Sequence, residues 1–542
     1  MTAIYLGLLL ALFISMLLTP QLVRYAHRLR LMDAPDPRKS HATLIPRVGG
    51  IAVAIGAALP CLVWLRVYDG IGIYLAGAAV IVIFGIWDDR VQLDYRMKLL
   101  GQLGAVLLVV AGGVRIAHLP LAGLDPIPIW ASLPITVVFL VAVTNAFNLL
   151  DGLDGLAAGC AILSVGTIGL LAFLGGSNPA ILVIAAATIG GVLGFLRYNT
   201  HPATVFMGDS GSQLLGFTIG VLTIMLMEQP PNAMSAAVPL LLLGLPVLDT
   251  AMVMLLRLRD GRSPFSPDRN HIHHKLLSLG FRHHEAVAII YAVQALIVFS
   301  AFLFRYQRDW IVLAWYVGIC ALAVATYLLV RRSGFRPHET NGTTRVRRAV
   351  DPALRWPWLG RAALAFVEAG VAVYLMAGAI AVGRLSADLA AVSLLMALIM
   401  LAALLLHQPW FIYLARAAAY LAVLIVTYYS IFEMSSDWFA GGWVNGLVAF
   451  IAIGIGIAVY FRGEGEFQVT TLDLLMALVA IAVLTAPMDR VFQLNLAEML
   501  VRCFVIFYAI ELLLGRRPPR FRVLATATVA TLALVSLALI GV

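Results

Sequence analysis

Apolar runs of roughly 17 to 22 residues, broken by short polar stretches, recur along nearly the whole chain. About 20 residues of α-helix cross a bilayer, so each run of this length predicts one span. Eleven such runs lie before residue 331, at about 3–20, 48–66, 70–87, 99–117, 132–149, 155–175, 178–197, 211–227, 238–256, 286–305 and 309–330. About seven more follow residue 361. The pattern predicts an all-α polytopic membrane protein. Met1–Pro20 carries its basic residues after its apolar run, which predicts an uncleaved first helix rather than a signal peptide. The longest stretch lacking a span is 331–361, "RRSGFRPHETNGTTRVRRAVDPALRWPWLGR", with eight arginines. It divides the chain into a membrane domain at 1–330, a basic linker at 331–361 and a second membrane domain at 362–542.

Composition strengthens the membrane reading. Hydrophobic residues are 62% of the 542 and charged residues 12%, against about 25% charged in an ordinary soluble domain. The net charge of +9 alone is compatible with nucleic acid, but its distribution points to membrane topology. The alternate loops 21–47, 88–98, 150–154, 198–210, 257–285 and 331–361, with Arg197 at an edge, hold 24 Lys and Arg residues. The opposite loops hold four: Arg66, Arg115, Arg305 and Arg308. The basic side is predicted to be cytoplasmic, with the N-terminus outside. Cys61, Cys160, Cys320 and Cys503 lie in apolar runs without metal or redox spacing, which points to helix packing.

Five polar segments fall on the predicted cytoplasmic face: "DPRKSHATLIPRVGG" (36–50), "WDDR" (87–90), "NAFNLLDGLDGLAAG" (145–159), "RYNTHPATVFMGDSGS" (197–212) and "SPDRNHIHHKL" (266–276). Carboxylates near a membrane are costly and usually functional. Asn145, Asn148, Asp151 and Asp154 recur every third position, which on a straight helix drifts by about 60° per step. Gly152 and Gly155 are expected to loosen the helix, and a 3₁₀ turn would align these polar groups. The competing reading is a glycine-rich contact between helices with its carboxylates in loop water. Asp209, Asn148 and Asp151 offer hard oxygen ligands suited to Mg²⁺. The small residues of "FMGDSGS" could cradle phosphate. The histidine segment lacks Cys and a zinc-type spacing, so Arg269, His271, His273 and His274 are expected to hold an anionic diphosphate. Two rival classes remain: a transporter using intramembrane carboxylates, and a non-catalytic membrane scaffold. The later spans carry few polar residues at membrane depth, Arg416 being the clearest exception.

Over residues 1–330 these five motifs, in order, resemble the polyprenyl-phosphate N-acetylhexosamine-1-phosphate transferases. The resemblance is closest to the bacterial branch that transfers GlcNAc-1-phosphate to undecaprenyl phosphate. It implies that Asp88 and Asp89 handle the lipid-phosphate nucleophile, and that Asp209 and Asn148 hold the metal. Asp151 and Asp154 match an acidic pair counted with the catalytic set, with Asp154 and Leu149 near uracil. Asn199 and Phe206 match nucleoside contacts, and Lys98 a basic residue near the phosphates. Arg269, His271, His273 and His274 match the loop that sets sugar-nucleotide binding. Arg38–Arg47 matches a segment at the lipid-phosphate entrance.

The activity so implied is a phosphotransferase step from a UDP-sugar to undecaprenyl phosphate, releasing UMP and starting a cell-surface glycan. The implied cofactor is Mg²⁺, with Mn²⁺ as an alternative. The implied partners are the UDP-sugar, the polyprenyl phosphate and membrane lipid, with no nucleic acid; a homodimer is compatible. The implied location is the bacterial inner membrane, active site inward. The second half has no counterpart in an ordinary member.

Overall fold

The computed structural model describes residues 2–33, 44–65, 70–119, 126–176, 178–229, 234–263, 270–334, 357–382, 387–405, 411–432, 442–460, 475–476, 478–479, 490–514 and 521–537. The chain divides into two compact units, Met1–Thr340 with Thr470–Leu478, and Asn341–Val469 with Val479–Val542. Arg269, Arg38 and most of the linker (335–356) lie outside the described residues.

The first unit contains α1 (Thr2–Leu29), α2 (Gly49–Trp64), α3 (Ile71–Val91), α4 (Tyr95–Ala111), α5 (Ile129–Leu150) and α6 (Leu156–Leu174). They are followed by α7 (Pro179–Asn199), α8 (Gly208–Met227), α9 (Val238–Arg259), the short α10 (Ile272–Ser278), α11 (His283–Phe304) and α12 (Asp309–Ser333). Apart from α10, these are eleven helices, one for each apolar run. Among all described residues, twelve helices are long and apolar enough to cross a membrane. The chain is a multi-pass, all-α membrane protein. Two of the eleven, α2 and α4, have only 16 and 17 residues, short of the ~20 that a perpendicular crossing needs. The fourth element also starts earlier than its apolar run, so Lys98 lies in the first turn of α4. One feature escaped the all-α expectation. β1 (Met32–Asp33) pairs antiparallel with β2 (Ile45–Pro46), and Arg47 bridges to Phe206 in parallel.

In lipid, helices associate by close packing rather than by the hydrophobic effect, so small residues mark the contacts. Glycine lets two backbones meet around α8. A Cβ at Gly85 of α3 would strike the Ser210 backbone, and one at Gly50 of α2 would strike that of Gly211. The α8 span is accordingly the most enclosed in the bundle. All four cysteines are buried and unpaired, as their apolar settings predict.

Helix α9 is broken within the membrane. Gly244 adopts φ 56° and ψ −134°, and Pro246 follows. Such a break frees backbone groups that lipid cannot satisfy. Gln294 of α11 fills the gap: its Oε1 accepts from Leu245 N at 2.8 Å, while its Nε2 donates to Ser164 Oγ at 3.1 Å. Tyr316 donates its hydroxyl to Gly244 O at 3.1 Å. The repaired break re-aims the second half of α9, which carries Asp249.

In the second unit six helices are described: Pro357–Ala381, Ala387–Leu405, Phe411–Phe432, Gly442–Tyr460, Arg490–Leu514 and Phe521–Leu537. Their interior is more polar than the sequence suggested. Arg416 pairs with Glu511 at 3.0 Å. Arg502, 2% exposed, pairs with Glu498 and donates to Asn445 Oδ1 at 3.1 Å. Glu498, Arg502 and Glu511 sit in runs whose overall hydropathy hides them.

Replacing Gln294 by Leu should strand the Leu245 N–H in a dry setting, at a cost of about 1–3 kcal/mol. Thermal unfolding in detergent should show a lowered midpoint. An unchanged midpoint would mean that the break needs no side-chain partner.

Candidate functional site

The 145–159 stretch is a helix end, a turn and a helix start. Helix α5 stops at Leu150, and α6 begins after Gly155, whose φ of 79° is left-handed and favours glycine. Asn199 and Tyr291 hold the turn from both sides. Gly155 N donates to Asn199 Oδ1 at 2.9 Å, and Tyr291 donates its hydroxyl to Gly155 O at 2.6 Å. Gly152 leaves room for the His273 ring, which a Cβ would overlap.

The expected 3₁₀ alignment does not form. Asn145 turns into the bundle, donating to Gln102 Oε1 at 2.7 Å, and Gln102 donates in turn to Gln213 Oε1 at 3.0 Å. Asn148 faces Asp209, whereas Asp154 faces His201. The four residues diverge because the helical drift carries them around the axis and the turn then redirects the last two.

Asp88 and Asp89 are adjacent on α3, about 100° apart in projection, and take different tasks. The Asp89 carboxylate accepts from Asp209 N at 2.9 Å and Ser210 N at 3.1 Å, capping α8 from another helix. Asp88 accepts from Leu93 N at 2.6 Å and pairs with Lys98. The Lys98 ammonium also lies 3.0 Å from Asp209 Oδ2, so it bridges the two carboxylates. Asn148 Nδ2 reaches the same Asp209 oxygen at 3.4 Å. Arg47 supplies the second positive charge. It pairs with Asp33 and stands 3.9 Å from Asp89. The small sheet and the Phe206 bridge hold it there: Gly49 N donates to Phe206 O at 3.0 Å and Phe206 N to Pro46 O at 2.8 Å.

This arrangement brings together Asp88, Asp89, Asp209, Asn148, Lys98 and Arg47. It suits a hard divalent cation in its donor chemistry: carboxylate oxygens of Asp209 and Asp88, and the Asn148 amide, whose oxygen comes forward by a half-turn of the group. The bridging lysine already shows that a positive charge is stable between Asp88 and Asp209. Asp151 stands at the edge of this group. Burial, then the charges of Asp209 and Asp89, push its carboxyl up to about 7, against the pull of Arg47.

Asp154 belongs to a neighbouring cluster. Its Oδ2 accepts from Ala203 N at 3.1 Å and lies 2.7 Å from His201 Nδ1. Burial opposes its ionisation, but the His201 contact, nearby His283 and the Ala203 N–H outweigh it and hold the carboxyl below the usual range.

The histidine segment is tied to α9. His271 Nδ1 lies 2.8 Å from Asp249 Oδ2, and Ile272 N donates to Asp249 Oδ1 at 2.9 Å. His273 stacks on His271 with ring centres 5.9 Å apart and lies 4.2 Å from His274. Burial, followed by the neighbouring His274, drives the His273 imidazole down to about 3. Asn199 is buried, and its amide accepts from Gly155 N and donates to Val205 O at 2.8 Å. Leu149 is 40% exposed and free to meet a ligand.

Sequence reasoning missed Asp249, His201 and His283. Asp249 could have been found as the lone charge in the apolar run "LLLLGLPVLDTAMVML". His201 and His283 carry no local signal, since their common partner Asp154 is distant in sequence.

Comparison with known proteins places the chain in a family. The description of Glycosyl transferase family 4 matches residues 71–227, which span Asp88 through Asp209. A Bacillus subtilis protein described as a probable undecaprenyl-phosphate N-acetylglucosaminyl 1-phosphate transferase is 34% identical, over 57% of this chain and 87% of its own length. The undecaprenyl-phosphate alpha-N-acetylglucosaminyl 1-phosphate transferase of Escherichia coli O157:H7 is 31% identical, over 54% of this chain and 82% of its own. A decaprenyl-phosphate N-acetylglucosaminephosphotransferase of Mycolicibacterium smegmatis is 36% identical, over 49% and 73%. At 34% identity over nearly nine-tenths of the Bacillus relative, this chain belongs to glycosyl transferase family 4, the polyprenyl-phosphate N-acetylhexosamine-1-phosphate transferases.

Proposed function

We propose that the protein transfers GlcNAc-1-phosphate from UDP-GlcNAc to undecaprenyl phosphate on the cytoplasmic face of the bacterial inner membrane, releasing UMP. The relatives' names support the sugar and the lipid class. The observation that carries the reading is the cluster of Asp88, Lys98, Asp209 and Asn148 at helix ends. An acceptor lipid can bring its phosphate to such a site while its tail stays in the membrane. A transporter would place its carboxylates nearer the midplane.

In the reaction an oxygen of the lipid phosphate bonds to the β-phosphorus of the UDP-sugar. The bridging bond to the α-phosphate breaks, its electrons leave with UMP, and the sugar keeps its own bond to phosphate. Lys98 is placed to neutralise phosphate oxygens, and Arg47 to steady the incoming lipid phosphate. Asp88 orients the nucleophile, while Asp89 fixes the N-terminus of α8 so that Asp209 presents its carboxylate. Asp209 and Asn148 would hold Mg²⁺, which when bound supplies charge to the diphosphate and the departing UMP. Positioning and charge carry most of the acceleration in phosphoryl transfer.

The isoprenoid chain has a place on the same helices. An apolar cavity of about 360 Å³ is lined by Val53 and Cys61 of α2, Ala78 and Val82 of α3, Ile184 of α7 and Leu215 of α8. It begins on α3 less than two turns from Asp88.

Asp209→Asn keeps the side-chain size but removes a charge. UMP release should fall at least about 100-fold with folding intact. A chelator should do the same to the unaltered protein, and added Mg²⁺ should restore it. Full turnover in the variant would remove Asp209 from the essential set.

Direct attack further requires that UDP-GlcNAc alone yield no UMP. A stoichiometric burst without acceptor, with label retained on the protein and lost in Asp88→Asn, would instead establish a phospho-aspartate route.

A further inference from the structure

Lys98, Asn148 and Asp209 each have an amide on their own helix, one turn deeper in the bundle. Gln102 follows Lys98 by four residues on α4, Asn145 precedes Asn148 by three on α5, and Gln213 follows Asp209 by four on α8. Residues three or four apart share a helix face, so the amides lie beneath the site. There they meet. Gln102 Nε2 donates to Asn145 Oδ1 at 3.3 Å and to Gln213 Oε1 at 3.0 Å. Asn145 Nδ2 donates to Gln102 Oε1 at 2.7 Å and to Val141 O at 2.8 Å. All four amide N–H groups of Gln102 and Asn145 are therefore used. The bonds these two exchange also fix which way each amide faces.

Gln102 and Gln213 are buried, where lipid offers no partner. Hydrogen bonds between membrane helices add modest stability each, because separated helices find other partners. What the network restricts is register. Sliding or turning α4, α5 or α8 by one residue would strand amide groups in a dry interior, which is costly. The network is also uncharged. The groups above it must exchange partners as a reaction proceeds: Lys98 spans Asp88 and Asp209, and an arriving divalent ion takes Asp209 and Asn148. Neutral amides respond little to that exchange, so they hold three helices still while charges move above them.

We propose that Gln102, Asn145 and Gln213 are positioning residues, forming one amide network that keeps Lys98, Asn148 and Asp209 in register for a phosphate-bound divalent ion. This rests on the cation assigned above to Asp209 and Asn148.

The test uses the full chain in detergent, each variant held well below its own thermal midpoint. Mn²⁺ is titrated in the presence of UDP and followed by electron paramagnetic resonance, and UMP release is followed against Mg²⁺ concentration. Gln102→Met and Asn145→Leu nearly keep side-chain size and lose the bonds. Each should raise the half-saturating Mn²⁺ and Mg²⁺ concentrations at least about ten-fold. The double variant should be no worse than the poorer single one, because groups acting as a unit fail together. Thr136→Val is the control. Thr136 lies towards the far end of α5, where its Oγ1 accepts from Ile116 N at 2.9 Å. Its loss should lower the midpoint and leave both ion dependences unchanged. Gln213 only accepts in the network, so Gln213→Met decides the matter if Gln102→Met does not fold. Amide variants that lower the midpoint alone would overturn the proposal, as would an equal shift in Thr136→Val or fully additive losses. Absence of saturable Mn²⁺ binding in the unaltered protein would overturn it too. If the unaltered protein binds Mn²⁺ but releases no UMP, the transfer reading fails, and the Mn²⁺ titrations still decide the role of the network.

Discussion

A helix that begins inside a membrane bundle must find acceptors for its first N–H groups, because lipid offers none. Helix α8 solves this with a carboxylate from a different helix: Asp89 receives the N–H groups of Asp209 and Ser210. The negative charge also sits at the positive end of the helix dipole. Glycines at 50 and 85 let α2 and α3 come close enough for this contact. Once it forms, the position of Asp209 is fixed relative to Asp88, Lys98 and Asn148. The rest of the site is built on that one register.

Crowding three carboxylates at one helix end has an electrostatic consequence. They repel unless cations stand among them, and two do. Lys98 joins Asp88 to Asp209, and Arg47 lies between Asp33 and Asp89. The lysine comes from the first turn of α4, and the arginine is held by a two-residue strand pairing. The carboxylates are therefore partly compensated before any phosphate arrives, with two cations among Asp33, Asp88, Asp89 and Asp209. An incoming diphosphate and its divalent ion bring charges of both signs, so they can exchange partners with these pairs rather than enter an uncompensated field.

The span pattern was legible because run length alone decides whether a helix crosses lipid. The residues around Asp209 were legible too, since carboxylates and amides at span ends stand out against an apolar chain. What stayed hidden depended on direction and burial. Nothing in "WDDR" says that Asp89 caps a neighbour while Asp88 meets a lysine; only the helical angle separates them. The histidine run reads as a loop in sequence, yet His273 is buried where its ring packs against Gly152. Nothing in the sequence says that Asn199 also accepts from Gly155 N. The Gly244 break was missed because Gln294, which repairs it, is fifty residues away.

The ion pairs of the second unit bear on how the chain is made. An unpaired arginine at the centre of a membrane helix costs about 2.5–3.5 kcal/mol to insert. Arg502 meets Glu498 one turn earlier on its own helix, so that pair leaves the translocon already neutralised. Arg416 pairs with Glu511, which the ribosome delivers only two described helices further on. Until then Arg416, less than two turns from the helix start, must keep its guanidinium at the lipid headgroups. The Arg416–Glu511 pair can therefore form only after the helix bearing Glu511 has been made.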